Sequence, residues 1–361
     1  MRKSVSFEIK HLQYLDESAK PSNDLPEFAK DNAKLVALYE SMQFLRAMDK
    51  RAVGLQRIGK MRTYPSSLGQ EAVGVGAGMA LKDTDVLAPY YRGTGMMISH
   101  GIKPHEILLY WGGDERGADY KDQRAAQDFP VAVPIATQIL HAAGIATAMK
   151  LRGEKRAVLT EIGEGGTSEG EFYEALNVAG VWNLPFVCIV NNNQWAISVP
   201  SEKQTKAETY AQKAIAAGMD TLQVDGNDVI AVHDATTKAL EKARNGGGPT
   251  LIEAITYRLC DHTTADDASR YHDQSVHDKA WEVEPVKRLE DYLTKLGVLD
   301  EKAIKKMAEK TKGAVEKEVE LYFEIINNQP QPPEAMFDYL YAELPEKTKP
   351  QRAEAIRRGA K

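Results

Sequence analysis

Apolar positions recur at helical spacing through residues 34–60, KLVALYESMQFLRAMDKRAVGLQRIGK, and predict a long amphipathic helix with one face turned inward. The stretch 67–81, SLGQEAVGVGAGMAL, predicts a second helix built largely from small residues. DVLAPYYRG, 85–93, reads as a short strand ending in a polar turn. After a polar, loop-like stretch at 112–129, the pattern returns to helical spacing over PIATQILHAAGIATAMKLRG, with Gly144 and Ala148 one turn apart. Such a small-residue stripe suits close approach of another helix, from the same chain or from another subunit.

Beyond residue 156 the apolar positions gather into blocks. RAVLTEIG and LPFVCIV are short continuous runs, as in strands buried on both faces, and SEGEFYEALNVAGVW between them is helical. A strand–helix–strand unit of this kind implies parallel pairing, with the ligand crevice at the carboxyl ends of the strands. TLQVDGND, VIAVHDATTKALEKARN and PTLIEAITYR repeat the alternation, with NGGGP as a helix stop. Residues 259–278, LCDHTTADDASRYHDQSVHD, are too polar to pack and long enough to predict a functional loop. From Trp281 the chain is helical and highly charged, broken by NNQPQPP at 327–333. The expected fold class is α/β, a parallel sheet flanked by helices in three layers, with N- and C-terminal helical extensions. The expected division is an extension at 1–34, an α/β domain at 35–280 and a helical extension at 281–361.

Composition narrows the function classes. The 361 residues are 43% hydrophobic and 27% charged, ordinary globular usage with enough length for a large core. A net charge of −6 and the lack of a basic stripe argue against nucleic-acid binding. The first twenty residues are charged throughout, without the apolar centre of a signal peptide, and no apolar run is long enough for a membrane span. A cytoplasmic protein is expected. Two cysteines, Cys188 and Cys260, offer neither a disulfide framework nor a thiolate metal site.

The chemistry concentrates in GEGGTSEGEF, 163–172, where one glutamate stands between glycines at the join of a strand and a helix. Glycine there admits a close approach to the backbone, through its missing Cβ and its tolerance of positive φ. A nicotinamide-dinucleotide site would place another glycine at Ser168 and an acidic residue at the end of the next strand, which instead runs into NNNQWAIS. A diphosphate held through magnesium fits better, because this ion accepts one or two carboxylates and takes its other oxygens from phosphates and water. Glu164, Asn193 and a backbone carbonyl near Trp195 are the candidate protein ligands. A helix opening at Ser168 would turn free N–H groups toward the phosphates.

The glycine–acid–glycine at 163–165, followed about thirty residues later by paired asparagines, resembles the thiamine diphosphate and magnesium motif. The wider text, GEGGTSEGEFYEALNVAGVWNLP, NNNQWAISVP, EKQTKAETYAQKAIAAG, VDGNDVIAV and GPTLIEAITYR, resembles the alpha subunit of the decarboxylating first component of 2-oxo acid dehydrogenase complexes. The likeness spans nearly the whole chain from about Leu35 to Leu340 and implies a thiamine-diphosphate-binding fold. It implies that Glu164, Asn193 and the Trp195 carbonyl bind magnesium, and that Tyr91 and Arg92 hold the diphosphate together with the backbone at Gly163, Gly165 and Gly166. It also implies that Val133 meets the aminopyrimidine, that Ile135 is the apolar wedge bending the cofactor, and that His262 reaches the diphosphate and the active-site mouth as a catalytic residue.

The implied reaction is oxidative decarboxylation of a 2-oxo acid with acyl transfer to a lipoyl group. The implied partners are a beta subunit, in a heterotetramer of two alpha and two beta chains, and a lipoyl-bearing dihydrolipoyl acyltransferase core. Pyruvate is the expected substrate, since residues 202–218 read most like bacterial pyruvate members, and a branched-chain 2-oxo acid is the alternative. A nicotinamide-dependent dehydrogenase and a non-catalytic scaffold are the rivals from other classes; the missing acidic residue after FVCIV speaks against the first, and the presence of Glu164 and Asn193 against the second. Three features depart from the family pattern: glutamate rather than the commoner aspartate at 164, no glycine- and histidine-rich stretch at 113–129, and Thr263 where animal relatives carry a phosphorylated serine.

Overall fold

The computed structural model describes residues 5–338 and 340–359. Among the described residues eight strands are formed: β1 (His11–Leu12), β2 (Val86–Ala88), β3 (Val158–Gly163), β4 (Phe186–Asn192), β5 (Trp195–Ala196), β6 (Val199–Pro200), β7 (Asp220–Asp225) and β8 (Thr250–Ile255). Six make one wholly parallel sheet in the order β1-β7-β8-β4-β3-β2, while β5 and β6 form a small antiparallel ribbon. The helices before the central unit are α1 (Asn32–Arg57), α2 (Glu71–Gly78), α3 (Thr94–His100), α4 (Pro104–Gly112) and α5 (Thr137–Leu151). After it come α6 (Gly170–Val181), the single turn α7 (Gln212–Ile215), α8 (Val229–Arg244), α9 (Gln274–Glu282), α10 (Pro285–Lys295) and α11 (Glu301–Asn328).

The apolar blocks behave as a doubly covered sheet requires. Val158, Phe186, Cys188 and Val190 pack against Ile139 and Ala142 of α5 and Phe172, Leu176 and Ala179 of α6. The alternate residues Leu159, Val187 and Ile189 face the opposite way, onto Val73 of α2 and Val232, Ala235 and Leu240 of α8. Three layers result, with α1, α10 and α11 packed outside the α2 and α8 side. Both cysteines are free.

Element boundaries differ from the periodicity in instructive ways. The N-terminal extension is not helical over most of its length: β1 joins the sheet edge beside β7, and only a 3-10 turn at Glu27–Lys30 precedes α1. Asp228, the N-cap of α8, anchors it by accepting the Tyr14 and Leu15 N–H groups at 2.6 and 2.8 Å. The second helix starts at Glu71 rather than 67, because Gly69 has φ +91° and a Cβ there would lie 2.3 Å from the Tyr257 carbonyl oxygen. The helix expected from Ser168 starts at Gly170, after a 3-10 turn at Glu164–Ser168. The long polar loop ends early, since α9 begins at Gln274 and crosses the expected boundary at 280/281.

Candidate active site

The β3–β4 register pairs Gly163 with Asn191, which brings Glu164 and Asn193 together just past the carboxyl ends of the two strands. Glu164 is 1% exposed. One of its carboxylate oxygens accepts the Asn193 N–H and the other the Gln204 amide, both at 3.3 Å. Burial pushes this carboxyl up from its ordinary value, against the hydrogen bonds that favour its ionised form. The Asn193 side-chain nitrogen donates to Gln70 Oε1 at 3.0 Å, which fixes the amide orientation, and Asn193 Oδ1 accepts the Trp195 N–H at 3.2 Å. The Trp195 carbonyl accepts one long bond, 3.3 Å, from Arg258.

The turn after β2 supplies the cation. Arg92 is 3% exposed and donates through one terminal nitrogen to the Ser66 carbonyl at 2.7 Å and through the other to His262, at 2.8 Å to its carbonyl and 3.1 Å to Nδ1. Its Nε has no partner among the described residues. Because an arginine only donates, His262 Nδ1 accepts and Nε2 carries the hydrogen of the neutral ring. Burial, reinforced by Arg92 and Arg258, pulls the His262 pKa down to about 4, so the ring is uncharged at neutral pH. The Tyr91 and His262 rings lie edge to face with centroids 6.4 Å apart.

These groups enclose a cavity of about 230 Å³, whose lining includes Tyr91, Arg92, Ile135, Gly163, Glu164, Gly165, Gly166, Asn193, Trp195 and His262. Val133 alone of the expected site residues lies outside that lining, 47% exposed on the segment leading to it. None of the three motif glycines has a positive φ, so conformational freedom is not their purpose. Crowding is: a Cβ on Gly165 would meet Ala196 at 2.5 Å, and one on Gly166 would meet Ile162 at 2.7 Å and Ile135 at 3.0 Å. Positive φ falls instead on Ala136 and Ile197, which line the cavity, and on Gln194 between Asn193 and Trp195, where surrounding contacts must hold a strained backbone. No residue type announces that strain in sequence.

A larger cleft of about 760 Å³ lies on the other side of the His262 loop, lined by Lys50, Arg57, Tyr64, His272, His277 and Trp281 among others. Size does not make it the site, because it gathers neither Glu164 nor Asn193. His272, given no role by its sequence context, packs on the Trp195 ring with centroids 4.6 Å apart. The supporting residues Asp49, Gln70, Gln204 and Arg258 also escape sequence reasoning. Asp49 accepts from the Tyr64 and Ser66 hydroxyls and the Ser67 N–H, each at 2.6 Å, and so shapes the segment whose Ser66 carbonyl holds Arg92.

Can these residues hold magnesium and a diphosphate? The described residues contain no cluster of three or more histidine, cysteine, aspartate or glutamate side chains fit for a metal. A protein-only cage is thus absent among them, whereas one carboxylate, one amide oxygen and one carbonyl are the contribution expected where phosphates complete an octahedral ion. The unpartnered Arg92 Nε matches an anionic acceptor, and the buried Glu164 carboxyl gains a reason to ionise.

Fold and site together define a class: a parallel α/β protein with an oxygen-ligand and cationic cradle at the carboxyl ends of neighbouring strands. Residues 39–332 match the family model described as dehydrogenase E1 component, and the chain belongs to that family. It is 36% identical to the pyruvate dehydrogenase E1 component subunit alpha of Mycoplasma pneumoniae, covering 95% of this chain and 94% of the relative. It is 37% identical to the protein of the same name from Bacillus subtilis, over 85% and 83% of the two chains. Identity is 41% to the 3-methyl-2-oxobutanoate dehydrogenase subunit alpha of Mycobacterium tuberculosis, over 81% and 80%. The family implies use of thiamine diphosphate. No helix is long and apolar enough to cross a membrane among the described residues.

Proposed function

We propose that this chain is the alpha subunit of a thiamine-diphosphate- and magnesium-dependent pyruvate dehydrogenase, working in the cytoplasm with a beta subunit and a lipoyl-bearing acyltransferase. The observation that carries the reading is the juxtaposition of Glu164, Asn193, Trp195 and Arg92 around a cavity of only about 230 Å³. Sites that enclose a whole cofactor-sized ligand run to roughly 300–1,000 Å³. A cavity of this size suits a diphosphate and its metal, with the rest of the cofactor covered by a partner.

Glu164, the Asn193 amide oxygen and the Trp195 carbonyl would hold magnesium. Arg92, Tyr91 and the backbone at Gly163, Gly165 and Gly166 would bind the diphosphate, with the neutral His262 donating from Nε2. Ile135, 45% exposed, offers an apolar surface toward the ring portion, with Val133 beyond it. When bound, thiamine diphosphate supplies a carbon nucleophile for the 2-oxo group and an electron sink as carbon dioxide leaves. The chain's own residues bind and orient the charged end and exclude water from it.

Leu140 on α5, Val178 and Val181 on α6 and Trp182 just after it expose apolar surface that a partner chain would cover. The relative active toward 3-methyl-2-oxobutanoate by name supports a second reading, a branched-chain 2-oxo acid substrate. Assay of the reconstituted alpha–beta pair with both acids separates the two: turnover restricted to 3-methyl-2-oxobutanoate would overturn pyruvate. For the site itself, Glu164→Ala should lower affinity for thiamine diphosphate and magnesium by orders of magnitude while the fold persists. Calorimetry showing wild-type affinity would contradict the assignment.

A further inference from the structure

The segment between β6 and β7 contributes nothing to the cavity wall, yet it grips the motif turn from behind. Lys213, on the single turn α7, donates to the Thr167 carbonyl at 2.9 Å and to Thr167 Oγ1 at 2.8 Å. The Thr167 hydroxyl, its oxygen engaged by the ammonium, passes its own hydrogen to the Glu164 carbonyl at 2.6 Å. Thr167 is fully buried, so its end of the relay is shielded from competing water, while Lys213 is half-buried. The Lys213 ammonium lies 5.5 and 5.4 Å over the Tyr173 and Tyr210 rings, which narrows the positions it can take. From the same segment Gln204 reaches the Glu164 carboxylate itself.

We propose that Lys213 is a positioning residue: through Thr167 it fixes the backbone of Glu164, and with it the carboxylate and the glycine N–H groups that receive the metal and diphosphate. The inference rests on the cofactor site proposed above. A cation at the end of the 3-10 turn Glu164–Ser168 satisfies a carbonyl with no onward helical partner and opposes the negative end of the turn's dipole. Without it the turn keeps its glycines and its carboxylate but loses the clamp that sets their direction.

The test uses the alpha–beta enzyme stripped of cofactor, titrated with thiamine diphosphate at fixed magnesium and followed by calorimetry, with kcat measured at saturating cofactor. Lys213→Met should weaken cofactor affinity roughly 10–100-fold, the range for residues that orient metal ligands from behind. It should leave kcat at saturation unchanged, while the melting temperature of the cofactor-free enzyme falls modestly as the buried Thr167 carbonyl loses its donor. Lys213→Arg, which keeps a donating cation, should restore most of the affinity. Thr167→Val, nearly isosteric and still offering its carbonyl to Lys213, should reproduce part of the loss, and the double variant should lose less than the sum of the two, because both disturb the same relay. Wild-type affinity in Lys213→Met would overturn the proposal, as would additive losses in the double variant or a parallel fall in kcat at saturation. Glu164→Ala is the control. If it loses affinity while Lys213→Met does not, only the positioning role fails; if Glu164→Ala itself binds normally, the site assignment fails and the role with it.

Discussion

Glu164 shows how one residue's meaning is set by its neighbours. A carboxylate so fully buried is costly unless something ionic meets it, and here only amide donors do so within the protein. Its juxtaposition with Asn193 was legible in sequence, because the carboxyl ends of neighbouring parallel strands restrict the spacing. Asp49 was not legible, because its work is done through contacts 15–18 residues away that no periodicity reports. Replacing Asp49 by Ala leaves the Tyr64, Ser66 and Ser67 hydroxyls and the Ser67 N–H without this acceptor, each costing about 1–3 kcal/mol, less whatever relaxation recovers. The enzyme should melt several degrees lower, and because the Ser66 carbonyl also orients Arg92, diphosphate affinity should fall with it. Thermal melts and a cofactor titration on Asp49→Ala check both; an unchanged melting temperature would refute the packing argument.

Among elements, the strands were the most readable and the turns the least. Continuous apolar runs can be satisfied only between two layers, so β3, β4 and β8 follow from the sequence, whereas the 3-10 turn that displaces the start of α6 is fixed by Ala196, Ile162 and Ile135 crowding the glycines. The 259–278 segment reads as a functional loop, and its chemistry carries a pH signature. Burial draws both His262 and His272 down to about 4, from an ordinary value near 6.5. Between these values the unfolded or opened segment binds more protons than the packed one, so its stability rises with pH across that window and is lost as pH falls from about 6.5 toward 4. Limited proteolysis of the loop should therefore accelerate on acidification through that range, and His262→Asn should flatten part of the response. Cleavage independent of pH would contradict the packed neutral state of these rings.

At the scale of the whole molecule, the chain builds a three-layer core, and the proposed function would have a partner finish one side of its cavity. Gly144 on α5 is exposed, and a Cβ placed there would meet no atom of the described residues within 4 Å. The sequence could show the small-residue stripe but not which side of it faced inward; the inward side is Ala142, Ala143 and Ala146. Gly144→Leu should accordingly leave the fold and melting temperature of the isolated chain intact while weakening assembly with the beta subunit by steric overpacking, which light scattering would register.

The account stands or falls on whether this chain carries half a site. The most direct measurement is a titration of the purified chain with its beta subunit, following thiamine diphosphate binding and pyruvate-dependent dye reduction in the same samples. The chain alone should show no 2-oxo acid decarboxylation, and tight cofactor binding and turnover should rise together, saturating at one beta chain per alpha chain. Robust turnover by the unpartnered chain would contradict the two-chain site.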